Sequence, residues 1–353
     1  MPAQRMNAGK SITKSITIYD IAKEAGVSPA TVSRVLTNSA NVRSEKKEKI
    51  QALIEKYEFK PNMLARGLAD TKTQTIGILS ADIRNPYYAS MFLACEQAAR
   101  EAGYTALLCN FLGEHETEMR LLKSLQNQKV DAIIQFGGRV DDLTSEEEYV
   151  ELVNQIMTTT PIVVTGKLDG TRCHAVRIDA MQAMELLMEH LLALGHERIA
   201  LVGGRRDVFS TFEKYQRYKQ ILKERGIAYD PRLVTDNGSY DVDTAYRQMN
   251  ELLDRGVEMT AVIAINDFSA MGIIKCLKER GYRIPEDISV VSYDNTYMAE
   301  IGIPPLTSVD YNYEEYGRKL VDTATALIDG RKVGNVRMVT PTLVVRESSG
   351  RAR

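Results

Sequence analysis

The chain has 353 residues, more than one hydrophobic core ordinarily carries, with 45 Lys/Arg against 47 Asp/Glu and a net charge of −2. Its four cysteines and four histidines show neither metal-ligand nor disulfide spacing, which argues against a zinc module or a secreted disulfide scaffold. No apolar run reaches the ~18 residues of a membrane span and the N-terminus lacks a signal-peptide core, so a cytoplasmic protein that meets no membrane is expected.

Residues 1–14 read as a flexible basic tail. The stretch that follows, TIYDIAKEAGVSPATVSRVL at 17–36, predicts two short helices bent about one glycine. Thr17 can cap the first, and Asp20 three residues on completes an acidic capping box. Ile18, Ile21, Ala22 and Ala25 repeat at helical spacing and form one buried stripe. Gly26 stands where the chain must turn, and a turn there favours a residue able to take positive φ. Ser28 caps the second helix and Pro29 occupies its first turn, where a missing N–H costs nothing. Val32, Val35 and Leu36 point inward, leaving Pro29, Ala30, Thr31, Ser33 and Arg34 outside. A short helix with small residues and one arginine outward suits a DNA major groove.

Ser44 is read as the cap of a third helix whose apolar stripe is Ile50, Leu53, Ile54 and Tyr57. Pro61 ends it, Asn62 can cap a fourth, and Gly67 leaves that fourth helix short and marginal. Met63, Leu64 and Leu68 make it apolar without a core of its own, as in a segment that folds against a partner. Residues 1–73 carry 13 Lys/Arg and 7 Asp/Glu, a net of +6, and the rest carries 32 and 40, a net of −8. The near-neutral total thus hides a basic head on an acidic body, the electrostatic footprint of polyanion binding at one end.

From Thr75 onward, apolar runs alternate with amphipathic stretches. Buried parallel strands are expected at 75–81, 105–110, 131–136 and 161–166, with helices around 87–102, 115–128 and 145–157. A second series has strands at 198–204, 233–238, 260–267 and 288–294, with helices around 180–194, 208–225, 241–255 and 268–280. One more helix and a final strand in RMVTPTLVVRESS complete the tail. The fold class is α/β, two similar doubly wound lobes with a cleft between them, behind a small all-α helix-turn-helix head. In such sheets ligands lodge outside the carboxyl ends of the strands, which selects Tyr87, Tyr88, Tyr240, Asn266, Asp267 and Asp294. Carboxylates, amides and flat rings in one cleft are what a polyhydroxylated ligand calls for.

The IYDIAKEAGVSPATVSRVL run, the PNMLARGL segment and nearly all the remaining chain resemble the lac repressor/gal repressor family of bacterial transcription regulators. The resemblance implies that the second helix reads bases through Pro29, Ala30 and Arg34. Tyr19, Ser28, Thr31 and Ser33 would contact phosphates. Asn62, Ala65 and Arg66 would belong to a hinge helix, and Leu68 would wedge between base pairs in the minor groove, kinking the duplex. It implies a body similar to periplasmic sugar-binding proteins, the chain crossing between lobes three times. The domains follow: tail 1–14, head 15–60, hinge 61–73 and body 74–353. The lobes are 74–177 plus 310–338 and 178–309 plus 339–353.

Two places depart from the family's pattern. Gly166-Lys167 stands where many members have an Asp or Asp-Arg, and Lys214 where an effector-binding arginine is usual. Lysine is a point charge and not a bidentate fork, so Lys167 and Lys214 suggest a smaller, anionic effector such as a sugar phosphate. The helix after LTSV carries Asp322 where a basic residue would serve a phosphorylated carrier protein, so that corepressor is not expected. The resulting expectation is a homodimeric repressor on a palindromic operator, governed by a sugar or sugar phosphate in the cleft. The dimer face is expected on the body, mainly on the lobe next to the hinge. The chain ends at Arg353 without a leucine heptad, so no dimer of dimers is expected. With no phosphate-loop glycine pattern and no acid/base or nucleophile constellation, no enzyme activity, cofactor or metal is expected. The competing reading is a cytosolic sugar sensor that does not read DNA sequence.

Overall fold

The computed structural model describes residues 16–36, 42–57, 59, 72–235 and 238–353. The chain divides into two compact units, Met1–Thr73 and Gln74–Arg353.

The first unit contains α1 (Ile18–Ala25), α2 (Pro29–Leu36) and α3 (Ser44–Lys56). The capping box at α1 is complete: the Asp20 N–H donates to Thr17 Oγ1 at 3.4 Å, and the Thr17 N–H to Asp20 Oδ2 at 2.8 Å. Gly26 closes α1 at φ 69°, left-handed backbone in which a Cβ would be strained. Ser28 Oγ accepts from the Thr31 N–H at 3.3 Å and starts α2. The third helix differs from expectation: Ser44 is its first residue and Arg43 holds the cap position without a side-chain bond. Ile21, Ala22, Ala25, Val32, Val35, Ile50 and Leu53 form the core, with Ile18, Leu36, Ile54 and Tyr57 packed on its rim. Glu24 on α1 accepts from Lys56 Nζ at 2.9 Å and from the Tyr57 hydroxyl at 2.7 Å, tying α1 to the end of α3. Asn62, Ala65, Arg66 and Leu68 lie outside the described residues, as does the tail.

The second unit is two lobes, each a six-stranded sheet between helical layers, as the alternating pattern requires. Lobe 1 holds β1 (Thr75–Ser80), β2 (Thr105–Asn110), β3 (Ala132–Phe136), β4 (Ile162–Val164), β5 (His174–Ile178) and β11 (Val336–Val339). Their order is β11-β5-β4-β3-β1-β2, all parallel. One face is covered by α4 (Pro86–Glu101) and α12 (Tyr313–Ile328), the other by α5 (His115–Asn127) and α6 (Glu147–Ile156). Lobe 2 holds β6 (Ile199–Val202), β7 (Val234–Thr235), β8 (Ala261–Ala264), β9 (Ser289–Asp294), β10 (Thr307–Asp310) and β12 (Thr342–Val344). The order β12-β10-β9-β8-β6-β7 repeats that of lobe 1, with β12 antiparallel at the edge. Its faces carry α7 (Ala180–Ala193) with α8 (Phe209–Glu224), and α9 (Val242–Asp254) with α10 (Asp267–Glu279). A short helix, α11 (Tyr297–Ile301), follows β9.

The chain passes between lobes three times: after β5, after β10, and between β11 and β12. The last crossing corrects the single final strand expected from RMVTPTLVVRESS, because Thr340-Pro341 separates two short strands that join different sheets. The strand β5 was not expected: HAVRI is short and mixes a histidine and an arginine into its apolar pattern. Cys109 sits on the edge strand β2 and is half-buried.

In each sheet the strand order reverses beside the first strand, between β1 and β3 and between β6 and β8. Ligand crevices open at such switch points. The matching turns, Gly137-Gly138 after β3 and Gly203-Gly204 after β6, all take positive φ and let the backbone leave the sheet sharply toward the cleft.

Candidate ligand cleft and nucleic-acid interface

A cavity of about 250 Å³ lies between the two lobes of the body. Its size falls just below the ~300–1,000 Å³ usual for drug-sized ligands, which suits a small metabolite. Lobe 1 contributes Tyr87 and Tyr88 from the start of α4, Asp141 from the 3-10 turn Gly138–Asp141, and Arg177 from the end of β5. Lobe 2 contributes Phe209, Ser210, Thr211, Glu213 and Lys214 from α8, then Tyr240, Asn266 and Asp294 from strand ends.

Asp294 is the last residue of β9, buried, at φ 98°. Such backbone is costly for a non-glycine residue, and strain of this kind concentrates at ligand sites. Burial, then the charge of Asp267, pushes its carboxyl well above the usual range, against the pull of Lys214. The Lys214 ammonium is also buried and stands 4.0 Å from the centroid of the Tyr293 ring. Burial lowers its pKa, while Asp294, Asp141 and Glu213 oppose the shift. Asp141 is pushed up to about 6 by burial, against donation from Ser210 and the field of Lys214. Lys214 thus lines the cavity together with Asp294, Asp141 and Glu213, between aromatic walls. Tyr87 packs edge-on to Tyr88 and Tyr311, ring centroids 5.0 and 6.1 Å apart. The Tyr240 hydroxyl shares a 2.8 Å hydrogen bond with Thr211 Oγ1.

Of the residues selected by sequence, Tyr87, Tyr88, Lys214, Tyr240, Asn266 and Asp294 line the cavity, and Lys167 and Asp267 do not. Asn266 has a second duty: its Oδ1 caps α10 at Ser269 N (2.7 Å) and its Nδ2 donates to the Tyr240 carbonyl (3.2 Å). Asp267 is fully buried behind the cavity wall. It accepts from Ser292, from Ser308 and twice from Thr296, so it binds β9, β10 and the following turn together. Lys167 pairs with Asp169 at 2.8 Å and lies over the ring of the cavity residue Phe209, 5.1 Å from its centroid. The sequence reading omits much of the lining, including the charged residues Asp141, Arg177, Arg205 and Glu213. Arg177 could have been found by recognising β5, and Asp141 by applying the strand-end rule to β3. Arg177 lies over Phe209, guanidinium carbon 5.4 Å from the ring centroid, and its buried Nε has no hydrogen-bond partner.

On the head, α2 turns Ala30 and Arg34 fully outward, with Pro29, Thr31 and Ser33 partly exposed beside them. Tyr19 on α1 is 70% exposed. The Ser28 hydroxyl lies 2.9 Å from Thr31 Oγ1, so these two side chains also hold the helix start. Among the described residues, no helix is long and apolar enough to cross a membrane.

A helix-turn-helix head with an outward arginine, on a two-lobed body with a polar interlobe cavity, defines a ligand-binding type of DNA-binding regulator. Residues 17–62 match the model of the lacI family of bacterial regulatory proteins, and 188–349 that of a periplasmic binding protein-like domain. Catabolite control protein A of Staphylococcus epidermidis is 32% identical over 93% of this chain and 97% of its own. The chain is also similar to a lac repressor dimer bound to operator and the anti-inducer ONPF (TM-score 0.84, 26% identity, covering 96% of this chain and 100% of that one). A transcriptional regulator CelR–cellobiose complex superposes with TM-score 0.70 at 29% identity, over 94% of this chain and 99% of that one. The chain belongs to the lacI family: it is a DNA-binding transcriptional regulator and not an enzyme.

Proposed function

We propose that the protein is a cytoplasmic repressor that binds a palindromic operator as a homodimer and is released or recruited by a small sugar in the interlobe cavity. In this reading Pro29, Ala30 and Arg34 face base edges, and Tyr19, Ser28, Thr31 and Ser33 face phosphates. Asn62, Ala65, Arg66 and Leu68 supply the minor-groove hinge. Arg34 carries most of the hydrogen-bonded discrimination, because Pro29 and Ala30 offer only apolar contact. The likeness to an operator-bound lac repressor dimer supports the dimer and the operator.

The single observation that carries the effector reading is the Lys214–Asp294–Asp141 cluster within a ring of tyrosines. Buried carboxylates accept from hydroxyls, and ring faces cover the C–H side of a sugar. The cavity wall also carries Lys214, Arg177 and Arg205, cations that suit a sugar phosphate as well as an uncharged sugar. A small ligand in the cleft, and no phosphorylated carrier protein, is the partner this chemistry serves.

The test is a gel shift of the full chain on genomic fragments, followed by a thermal-shift screen of neutral sugars and their phosphates. A shift that weakens steeply with salt and fails in Arg34→Ala supports the regulator. A shift indifferent to Arg34 would move base discrimination to other residues of the head. Stabilisation by phosphates and not by neutral sugars would place the effector among sugar phosphates, and the converse among neutral sugars.

A further inference from the structure

Along one edge of the cleft, three contacts join the lobes within a few residues. The Leu143 N–H donates to the Asp207 carbonyl at 2.7 Å, Asp142 and Val208 form an isolated antiparallel bridge, and the Ser210 hydroxyl donates to Asp141 Oδ2 at 3.2 Å. These residues surround the start of α8. Three other long helices of lobe 2 are capped from their own lobe, α7 by Asp179, α9 by Asp241 and α10 by Asn266. At α8 the cap position is Val208, whose side chain makes no capping bond. The Ser210 hydroxyl, in the first turn of α8, instead donates to the Asp141 carboxylate, which comes from the 3-10 turn of lobe 1. A carboxylate there meets the positive end of the helix dipole. Lys214 stands four residues beyond Ser210, on the same face of α8, and its ammonium feels both Asp141 and Asp294.

We propose that Asp141 is a trans-lobe clasp, a positioning residue that holds the cleft closed through the Ser210 hydroxyl at the start of α8 and thereby sets Lys214 in the cavity. Opening the cleft breaks that bond. A ligand that fills the cavity and the clasp itself therefore act on one open–closed equilibrium, and each strengthens the other. The clasp stands on the geometry of the body alone, and its regulatory consequence rests on the reading of the cleft as the effector site.

Hydrogen exchange on the full chain tests it, comparing wild type with Asp141→Ala, Asp141→Asn and Ser210→Ala. Loss of a hydrogen bond to a charged group shifts such an equilibrium by about tenfold or more. Asp141→Ala is expected to speed exchange of the Leu143 amide and the first turn of α8 by that factor. The strand amides of β1 and β8 should keep their protection, which shows that the fold survives. Ser210→Ala, which removes the same bond, is expected to give a similar increase, and Asp141→Asn, which keeps an acceptor, a smaller one in the same amides. Unchanged exchange at Leu143 and α8 in Asp141→Ala, or in Ser210→Ala should that one fail to fold, would overturn the proposal. A thermal-shift screen of wild type with sugars and their phosphates separates the two readings: no ligand response would sink the effector-site reading and leave the exchange result to judge the clasp.

Discussion

A Cβ placed on Gly166 would fall 1.9 Å from the carbonyl oxygen of Val140, and the Lys167 N–H donates to that same oxygen at 2.7 Å. The loop after β4 is thus pressed against the 3-10 turn that delivers Asp141. Gly166 marks a departure from the family's pattern, and the packing supplies its physical reason: the neighbouring backbone occupies the place of a side chain, and the carboxylate enters from Asp141.

Restoring an acid at this position is therefore expected to harm the protein. Gly166→Asp should cost about 1–3 kcal/mol in urea unfolding, as overpacking usually does. Gly166→Ala should lose nearly as much, because the Cβ itself collides. A neutral Gly166→Ala would refute the steric account.

The DNA-reading face gives a second expectation. Arg34→Ala should weaken binding to the preferred operator by about 1–3 kcal/mol while relaxing selection at one base-pair position. Binding to non-specific DNA should change far less, and its salt slope should persist. The comparison needs competition gel shifts at two salt concentrations. Equal losses on specific and non-specific DNA would reduce Arg34 to a phosphate contact.

Much of this architecture was legible in the sequence because the signals were local. Thr17, Asp20, Gly26, Ser28 and Pro29 each have a mechanical reason to stand where they do, and the observed caps and turn follow from them. The long apolar runs of β1, β3, β8 and β9 were equally plain. What escaped depended on partners distant in sequence. The strand β5 exists because β4 and β11 flank it, and the break at Thr340-Pro341 follows from two sheets competing for one segment. Asp267 is a residue the strand-end rule selects too eagerly, since the serines and threonine that surround it come from β9, β10 and the turn between them. Asp141 needed the opposite lobe to reveal its role.

Glu118 makes a pH prediction. It is fully buried on α5, where Oε1 accepts from Gln135 Nε2 at 2.6 Å, the Tyr149 hydroxyl at 2.9 Å and the Arg139 N–H at 3.1 Å, while Oε2 has no partner. Burial pushes its carboxyl up from 4.5 to about 7, against those donors. Between these two values the folded chain binds more protons at this site than the unfolded chain, so its contribution to stability falls as pH rises through that window. Glu118→Gln should flatten the decline and be more stable than wild type at pH ~8 by up to about 3 kcal/mol, the full value of such a shift. Denaturant unfolding from pH 5 to 8 measures both slopes. Parallel curves for the two proteins would mean that Glu118 stays charged throughout.

Asp294 allows the cleft to be separated from the fold. At φ 98° an asparagine is among the few residues tolerated, so Asp294→Asn should keep the backbone while removing the charge beside Lys214. Asp294→Ala should instead add backbone strain, with a loss of about 1–2 kcal/mol in unfolding free energy. Both should abolish, or weaken at least about tenfold, the response to whichever sugar stabilises wild type in a thermal-shift screen, since a buried acceptor facing a ligand hydroxyl is worth ~1–3 kcal/mol. Operator binding without sugar should survive in Asp294→Asn, because the head folds on its own core. The pair is informative through its contrast. Sugar response lost in both variants, with stability lost only in the alanine, assigns Asp294 to the ligand. Loss of response in step with stability would make it a structural residue whose strain serves the fold.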